Sequence, residues 1–240
     1  MKHTILGATL LFAALGAGTA HAQISLVNPV PQQVEKAKKG IIAAPTSWKV
    51  VSDKQRTGCI AEKALQASKL VKYDAGAKFA VTIGVKGDKA VSKVAKHAPS
   101  QAEGYYMEIT DKGVTIVGSD ETGLYYGVQT LLASVAEGKL ETCTIKDWPD
   151  VPFRGTVEGF YGTPWSHKAR LSQIDFYGRN KMNVYIYGPK DDPYHRDHWR
   201  VPYPEEDAKR IQELNEHAKQ CGVNFYWAIH PGIDIKWTTA

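Results

Sequence analysis

Cysteine is scarce. There are three in 240 residues, at 59, 143 and 221, and none forms a C-x-x-C pair. This excludes a disulfide-dense scaffold and argues against a metal site built on paired cysteines. The three read as small buried apolar groups. A Cys59–Cys143 bridge stays open if the chain is exported, with one cysteine left over. Long apolar runs are scarce too. Ile5 to Leu15 is too short to span a bilayer. It follows Lys2 and His3 and precedes Ala20-His21-Ala22, a small-x-small cleavage pattern before Gln23. Residues 1–22 therefore read as a cleavable export signal, and the protein is expected in the periplasm or outside the cell. No second apolar run follows to stop transfer, so no stable membrane anchor is expected. A large excess of one charge is also missing. The formal net charge is +5, or +4 once Lys2 is lost. Residues 23–147 hold 17 Lys and Arg against 13 Asp and Glu, and residues 148–240 hold 12 of each. Such a surplus serves solubility. No dense basic cluster interleaved with aromatics appears, so nucleic acid is not an expected partner.

What is present divides the chain near residue 148. Seven aromatics fall in residues 23–147, and 16 fall in the shorter stretch 148–240, with five of the six tryptophans. The join, Lys146 to Pro152, carries two prolines and suits an extended connector. The first part reads as α+β. A helix is predicted over Ala61 to Leu70 and a strand over Lys78 to Val85. Tyr105–Thr110 and Val114–Gly118 flank Asp111-Lys112-Gly113, a hairpin signal. A helix should follow, capped by Ser119 or Asp120, striped by Leu124, Val128, Leu131, Leu132 and Val135, and stopped at Gly138. Helices are expected on one face of the sheet, and no catalytic constellation is visible.

The second part alternates as β-α-β-α-β. Strands are predicted over Gly155–Phe160, Asn183–Tyr187 and Asn224–Ile229. One helix runs from a Ser166 cap to about Asn180. Another starts at Pro204 and stops at Gly222. That order predicts parallel strands with right-handed crossovers. A dinucleotide-binding sheet would need glycines for phosphate approach after its first strand. Here that turn is Gly159-Phe160-Tyr161-Gly162-Thr163-Pro164-Trp165, which suits a sugar or apolar pocket better. The remaining option is a (β/α)8 barrel. At about 31 residues per unit, residues 148–240 supply about three units. The expected fold is thus an α+β accessory domain over 23–147, then an incomplete (β/α)8 TIM barrel over 148–240. Function should gather in three loops on one rim: Glu158–Trp165, Gly188–His195 and His230–Asp234.

These loops carry a resemblance. Arg154-Gly155-Thr156-Val157-Glu158-Gly159-Phe160-Tyr161-Gly162-Thr163-Pro164-Trp165, Tyr187-Gly188-Pro189-Lys190-Asp191-Asp192-Pro193-Tyr194 and His230-Pro231-Gly232-Ile233-Asp234-Ile235 resemble the first three strand-loop segments of glycoside hydrolase family 84. Glu103-Gly104-Tyr105 through Leu132 is similar to the accessory domain that precedes the barrel in families 84 and 20. The resemblance implies a retaining β-N-acetylglucosaminidase of the O-GlcNAcase type. In that chemistry the substrate's own 2-acetamido oxygen attacks the anomeric carbon. It implies that the Gly159 carbonyl meets a sugar hydroxyl, that Lys190 donates to another, and that Tyr161 helps wall the pocket. It implies no cofactor and no metal. The partner would be an N-acetylglucosamine-containing glycan or glycoprotein.

In the family one aspartate polarises the acetamido group and its neighbour is the general acid and base, both after the fourth barrel strand. This sequence reaches only the third, so no catalytic residue is expected in it, and the 240 residues alone should be inactive. Asp191-Asp192 is an adjacent pair on the right rim, but it belongs to the second loop. There it is expected to serve loop structure, through turn bonds or pairing with Lys190, Arg196 or Arg200. His195 and His198 near Asp197 lack a fixed metal-ligand spacing. Glu158 should be a buried, paired carboxylate. The third strand is expected to be open on one side, with residues 23–147 folding alone and 148–240 loosely packed or aggregating. Two other readings stay open. One is a non-catalytic periplasmic sugar-binding protein, and the other is a family 20 hexosaminidase fragment.

Overall fold

The computed structural model describes residues 27–135, 138–231, 234–236 and 238. The predicted export signal lies outside them, as do Gly232 and Ile233 of the third loop.

A seven-stranded mixed sheet forms first. Its strands are β1 (Gln33–Ala43), β2 (Ser47–Val51), β3 (Lys72–Tyr73), β4 (Ala80–Val85), β5 (Tyr105–Ile109), β6 (Gly113–Gly118) and β7 (Lys139–Asp147), in the order β1-β7-β5-β6-β4-β2-β3. The predicted hairpin is β5–β6, antiparallel from Tyr105↔Gly118 to Ile109↔Val114. Strands β4, β6 and β2 run parallel to one another. Helices α1 (Ile60–Gln66) and α2 (Glu121–Ser134) pack on one face around Trp48, Leu65, Ile83, Met107, Ile116 and Leu124. The other face is partly covered by Val91 and Ala98, which pack on Tyr106 and Val117.

Helix α1 stops at Gln66 rather than Leu70. The Ser68 hydroxyl accepts from Leu70 and Val71 N–H and turns the chain out of the helix. Asp120 caps α2 through the Gly123 N–H. That helix ends at Ser134, before Gly138, which takes φ +70 just ahead of β7. Ten of its residues are buried, more than one stripe would give. The reason is that α2 is covered on both sides, by the sheet and by the second half of the chain.

That second half is a three-stranded parallel sheet, β8 (Gly155–Glu158), β9 (Val184–Tyr187) and β10 (Asn224–Trp227), in the order β10-β9-β8. Helices α3 (His167–Arg179) and α4 (Glu205–Gln220) cross between the strands. Ser166 caps α3 through Ala169 N–H, and Gly222 at φ +67 follows the end of α4, as the sequence indicated. The helices cover one face, burying Ile174, Tyr177, Tyr185, Tyr187, Leu214 and Ala218. The register sets Val157, Ile186 and Tyr226 in one row on the other face. Val157 is 59% and Tyr226 46% exposed there. Phe225 packs against Tyr185 and Tyr187 on the helix side.

The two sheets meet in a polar seam. Lys181 Nζ reaches Asp147 Oδ2 at 2.6 Å and the Tyr105 hydroxyl at 3.1 Å. Arg154 Nη2 donates to Glu103 Oε2 at 2.6 Å, and Asn183 Nδ2 to Glu103 Oε1 at 2.9 Å. Burial pulls the Lys181 ammonium below its ordinary pKa against the field of Asp147. Glu103 and Lys181, both at φ +59, are the non-glycine residues in left-handed conformation among those described, and both sit in this seam.

Cys59, Cys143 and Cys221 are free, so the Cys59–Cys143 bridge does not form here. Burial pushes the Cys143 and Cys221 thiols up to about 12. Among the described residues no helix is long and apolar enough to cross a membrane.

Candidate active-site rim

Parallel pairing brings the C-terminal ends of β8, β9 and β10 to one edge, where Glu158, Tyr187 and Trp227 align. The ladder continues past them, with Gly188 N–H donating to the Glu158 carbonyl at 3.1 Å and Ala228 N–H to that of Tyr187 at 2.8 Å. Gly159 and Lys190 therefore leave neighbouring strands on the same rim. A Cβ at Gly159 would meet one neighbour, a Val157 methyl at 3.1 Å, so packing alone makes little demand for glycine. Lys190 is half-buried. Tyr161 is 76% exposed.

Beneath Gly159 lies a buried carboxylate. Glu158 is fully inaccessible and accepts from Arg170 Nε at 2.9 Å, Arg170 Nη2 at 2.8 Å, Trp165 N–H at 3.1 Å and the Tyr185 hydroxyl. Every oxygen is held, as a charge with no access to water requires. Arg170 also stacks 4.9 Å from the Tyr187 ring centre. Burial opposes its charge, but Glu158 outweighs this and carries the Arg170 pKa above its ordinary value. Tyr185 is pushed up by burial and then by Glu158.

The second loop is tied by Asp192. It accepts from the Tyr187 hydroxyl at 2.8 Å, the Tyr203 hydroxyl at 2.7 Å and Tyr194 N–H at 2.8 Å. Tyr203 in turn accepts from Trp227 Nε1 at 3.0 Å. Burial and then Asp192 raise both phenols. Asp192 thus serves loop structure through a turn bond and two tyrosines, not through Lys190, Arg196 or Arg200. Arg200, in the segment between the second loop and α4, pairs with Asp234 of the third loop. His195 is buried, with Nδ1 2.7 Å from the Ala228 carbonyl, and His198 packs on Tyr194.

A family model described as beta-N-acetylglucosaminidase matches residues 154–240, and the second domain of glycosyl hydrolase family 20 matches residues 25–148. The solved structure CpGH84B superposes with a TM-score of 0.77 at 34% identity, covering 89% of this chain and 38% of that one. The chain is thus a family 84 O-GlcNAcase-like region. A second family 84 structure, CpGH84D, shares the fold with a TM-score of 0.73 at 23% identity, over 92% of this chain and 40% of that one. Among curated proteins, Protein O-GlcNAcase of Rattus norvegicus is 39% identical over 84 residues, 35% of this chain and 9% of that protein. Beta-hexosaminidase of Vibrio vulnificus is 30% identical over 99 residues, 40% of this chain and 11% of that protein. The chain thus spans about a tenth of these curated relatives and under half of the solved structures.

A cavity of about 550 Å3 opens between the first turns of α3 and α4, walled by Trp165, Arg170, Tyr187, Asp192, Tyr203 and Arg210 among others. Gly159, Tyr161 and Lys190 are not on its wall, although Pro189 is. The sequence alone did not single out Arg170, Tyr187 and Tyr203. Arg170 carried a signal: it lies one turn before Ile174, on the stripe that continues to Tyr177. A charge on a buried stripe announces a buried partner.

Proposed function

We propose that this chain carries the sugar-contacting rim of a retaining, substrate-assisted β-N-acetylglucosaminidase acting on terminal N-acetylglucosamine of a glycan or glycoprotein. The observation that carries the reading is the family match that begins at β8, together with three parallel strand ends whose loops share one edge. The Gly159 carbonyl and Lys190 Nζ then contact sugar hydroxyls, and Tyr161 helps wall the pocket. The three-stranded sheet is read as the opening of a (β/α)8 barrel. The open row Val157–Ile186–Tyr226 supports this, because a closed barrel turns that face inward. An export signal over 1–22 would deliver the protein to the periplasm or beyond.

The reaction needs two free adjacent carboxylates, one to hold the acetamido group and one to move a proton. Asp191-Asp192 does not supply them, since Asp192 is occupied by two phenols and a backbone N–H while Asp191 is exposed. Residues 1–240 alone are therefore expected to leave a chromogenic β-N-acetylglucosaminide intact. Measurable hydrolysis abolished by Asp191→Asn would contradict this. In a longer chain that holds these residues together with a complete barrel, Lys190→Ala should lower kcat/KM about 10- to 100-fold, the loss of one hydrogen bond from a charged donor. An unchanged kcat/KM would remove Lys190 from the site.

A further inference from the structure

On the helical layer, away from the rim loops, Asp175 of α3 faces His217 of α4 and Cys221, the residue that caps the C-terminus of α4. The last two stand four apart, so one helix face presents both. His217 Nε2 is 2.8 Å from Asp175 Oδ1, and Cys221 Sγ is 3.7 Å from Asp175 Oδ1 and 3.9 Å from His217 Nε2. All three donor atoms lie within 4.8 Å of one another. We propose that Asp175, His217 and Cys221 form a binding site for a zinc-class divalent cation that clips α3 to α4.

The distances carry this. A tetrahedral zinc with bonds of about 2.0 Å to N and O and about 2.3 Å to S spaces its ligands roughly 3.3–3.6 Å apart. The two sulfur edges are already within a few tenths of an ångström of that. The Asp175–His217 edge must open by about half an ångström, within reach of two side chains that are 48% and 29% exposed. A mixed imidazole, thiolate and carboxylate set selects a borderline-soft ion over calcium or magnesium, which take oxygen shells. Carboxylate and thiolate together neutralise a dication. Cys221 is buried at the floor while the other two ligands reach solvent, leaving the fourth position to water. On binding, the Cys221 thiol loses its proton to solvent as the S–metal bond forms, so uptake weakens as pH falls. The His217-x3-Cys221 spacing brings the two ligands together without a pair of cysteines.

Cobalt(II) titration of the metal-free 240-residue protein tests the site. The expected result is one equivalent bound with a thiolate-to-cobalt charge-transfer band, displaced by Zn2+. Cys221→Ser should abolish the band, and Cys59→Ser and Cys143→Ser should keep it. Asp175→Asn, at a half-exposed position and with its fold checked by circular dichroism, should weaken binding at least about tenfold. The proposal is overturned by absence of a saturable band in the native protein, by a band that survives Cys221→Ser, or by unchanged affinity in Asp175→Asn.

Discussion

Arg170→Ala is expected to destabilise the protein by about 3–5 kcal/mol, because it strands the Glu158 carboxylate with no access to water. Glu158 would keep the Tyr185 hydroxyl and Trp165 N–H but lose both guanidinium bonds. It could not ionise without a large desolvation cost, nor protonate without giving up its role as a pure acceptor. For a domain of this size, that loss lowers the melting temperature by on the order of 10 °C. Arg170→Lys should recover part of it, since a lysine restores the charge but not the two-pronged bond. The effect reaches the rim as well, because Glu158 holds the strand end from which Gly159 leaves. A melting temperature within a degree or two of the native protein would show that Glu158 is not held as described.

Gly155→Ala is the second large effect. A Cβ there would lie 1.7 Å from the Val184 carbonyl oxygen and 2.6 Å from its carbon. Both are backbone atoms in the paired strand, so no side-chain rotation relieves the clash. Strand β8 must pull away from β9 or slip its register, and either motion moves the rim. The cost should reach or exceed about 3 kcal/mol, the upper end for overpacking. Gly162→Ala provides the contrast. Gly162 has φ +104 but open space around it, so alanine there should cost only about 1 kcal/mol of backbone strain. Thermal melts of the two variants decide this, and equal losses would contradict it.

Much of the second half was legible because local signals agreed. Ser166 capped a helix, Gly222 ended one, and strand and helix periods alternated without conflict. The first half was harder. Strand β1, Gln-Val-Glu-Lys-Ala-Lys-Lys-Gly-Ile-Ile-Ala, is an edge strand largely facing water, so its lysines hid the alternation. Strand β7 carries Thr142 and Asp147 buried among Leu140, Cys143 and Ile145, and its end was read as connector. The seam was not readable at all. Lys181 looks like a surface lysine until Asp147 and Tyr105 close on it across 34 and 76 residues of chain. The seam also gives a physical reason for the halves to resist separation, against the expectation that residues 23–147 fold alone and 148–240 pack loosely. At the rim, the loops were found from strand order and the resemblance, while the tyrosines around Asp192 were not. Their role depends on β10 carrying Trp227 beside Tyr203, a contact that spacing does not encode.

The most direct measurement is hydrolysis, by a longer chain that holds these residues together with a complete barrel, of two chromogenic substrates, a β-N-acetylglucosaminide and the matching β-glucoside that lacks the acetamido group. Turnover of the first with retained anomeric configuration, and none of the second, is the predicted result, because the substrate's own acetamido oxygen is the nucleophile. Equal cleavage of both, or inversion at the anomeric carbon, would contradict it.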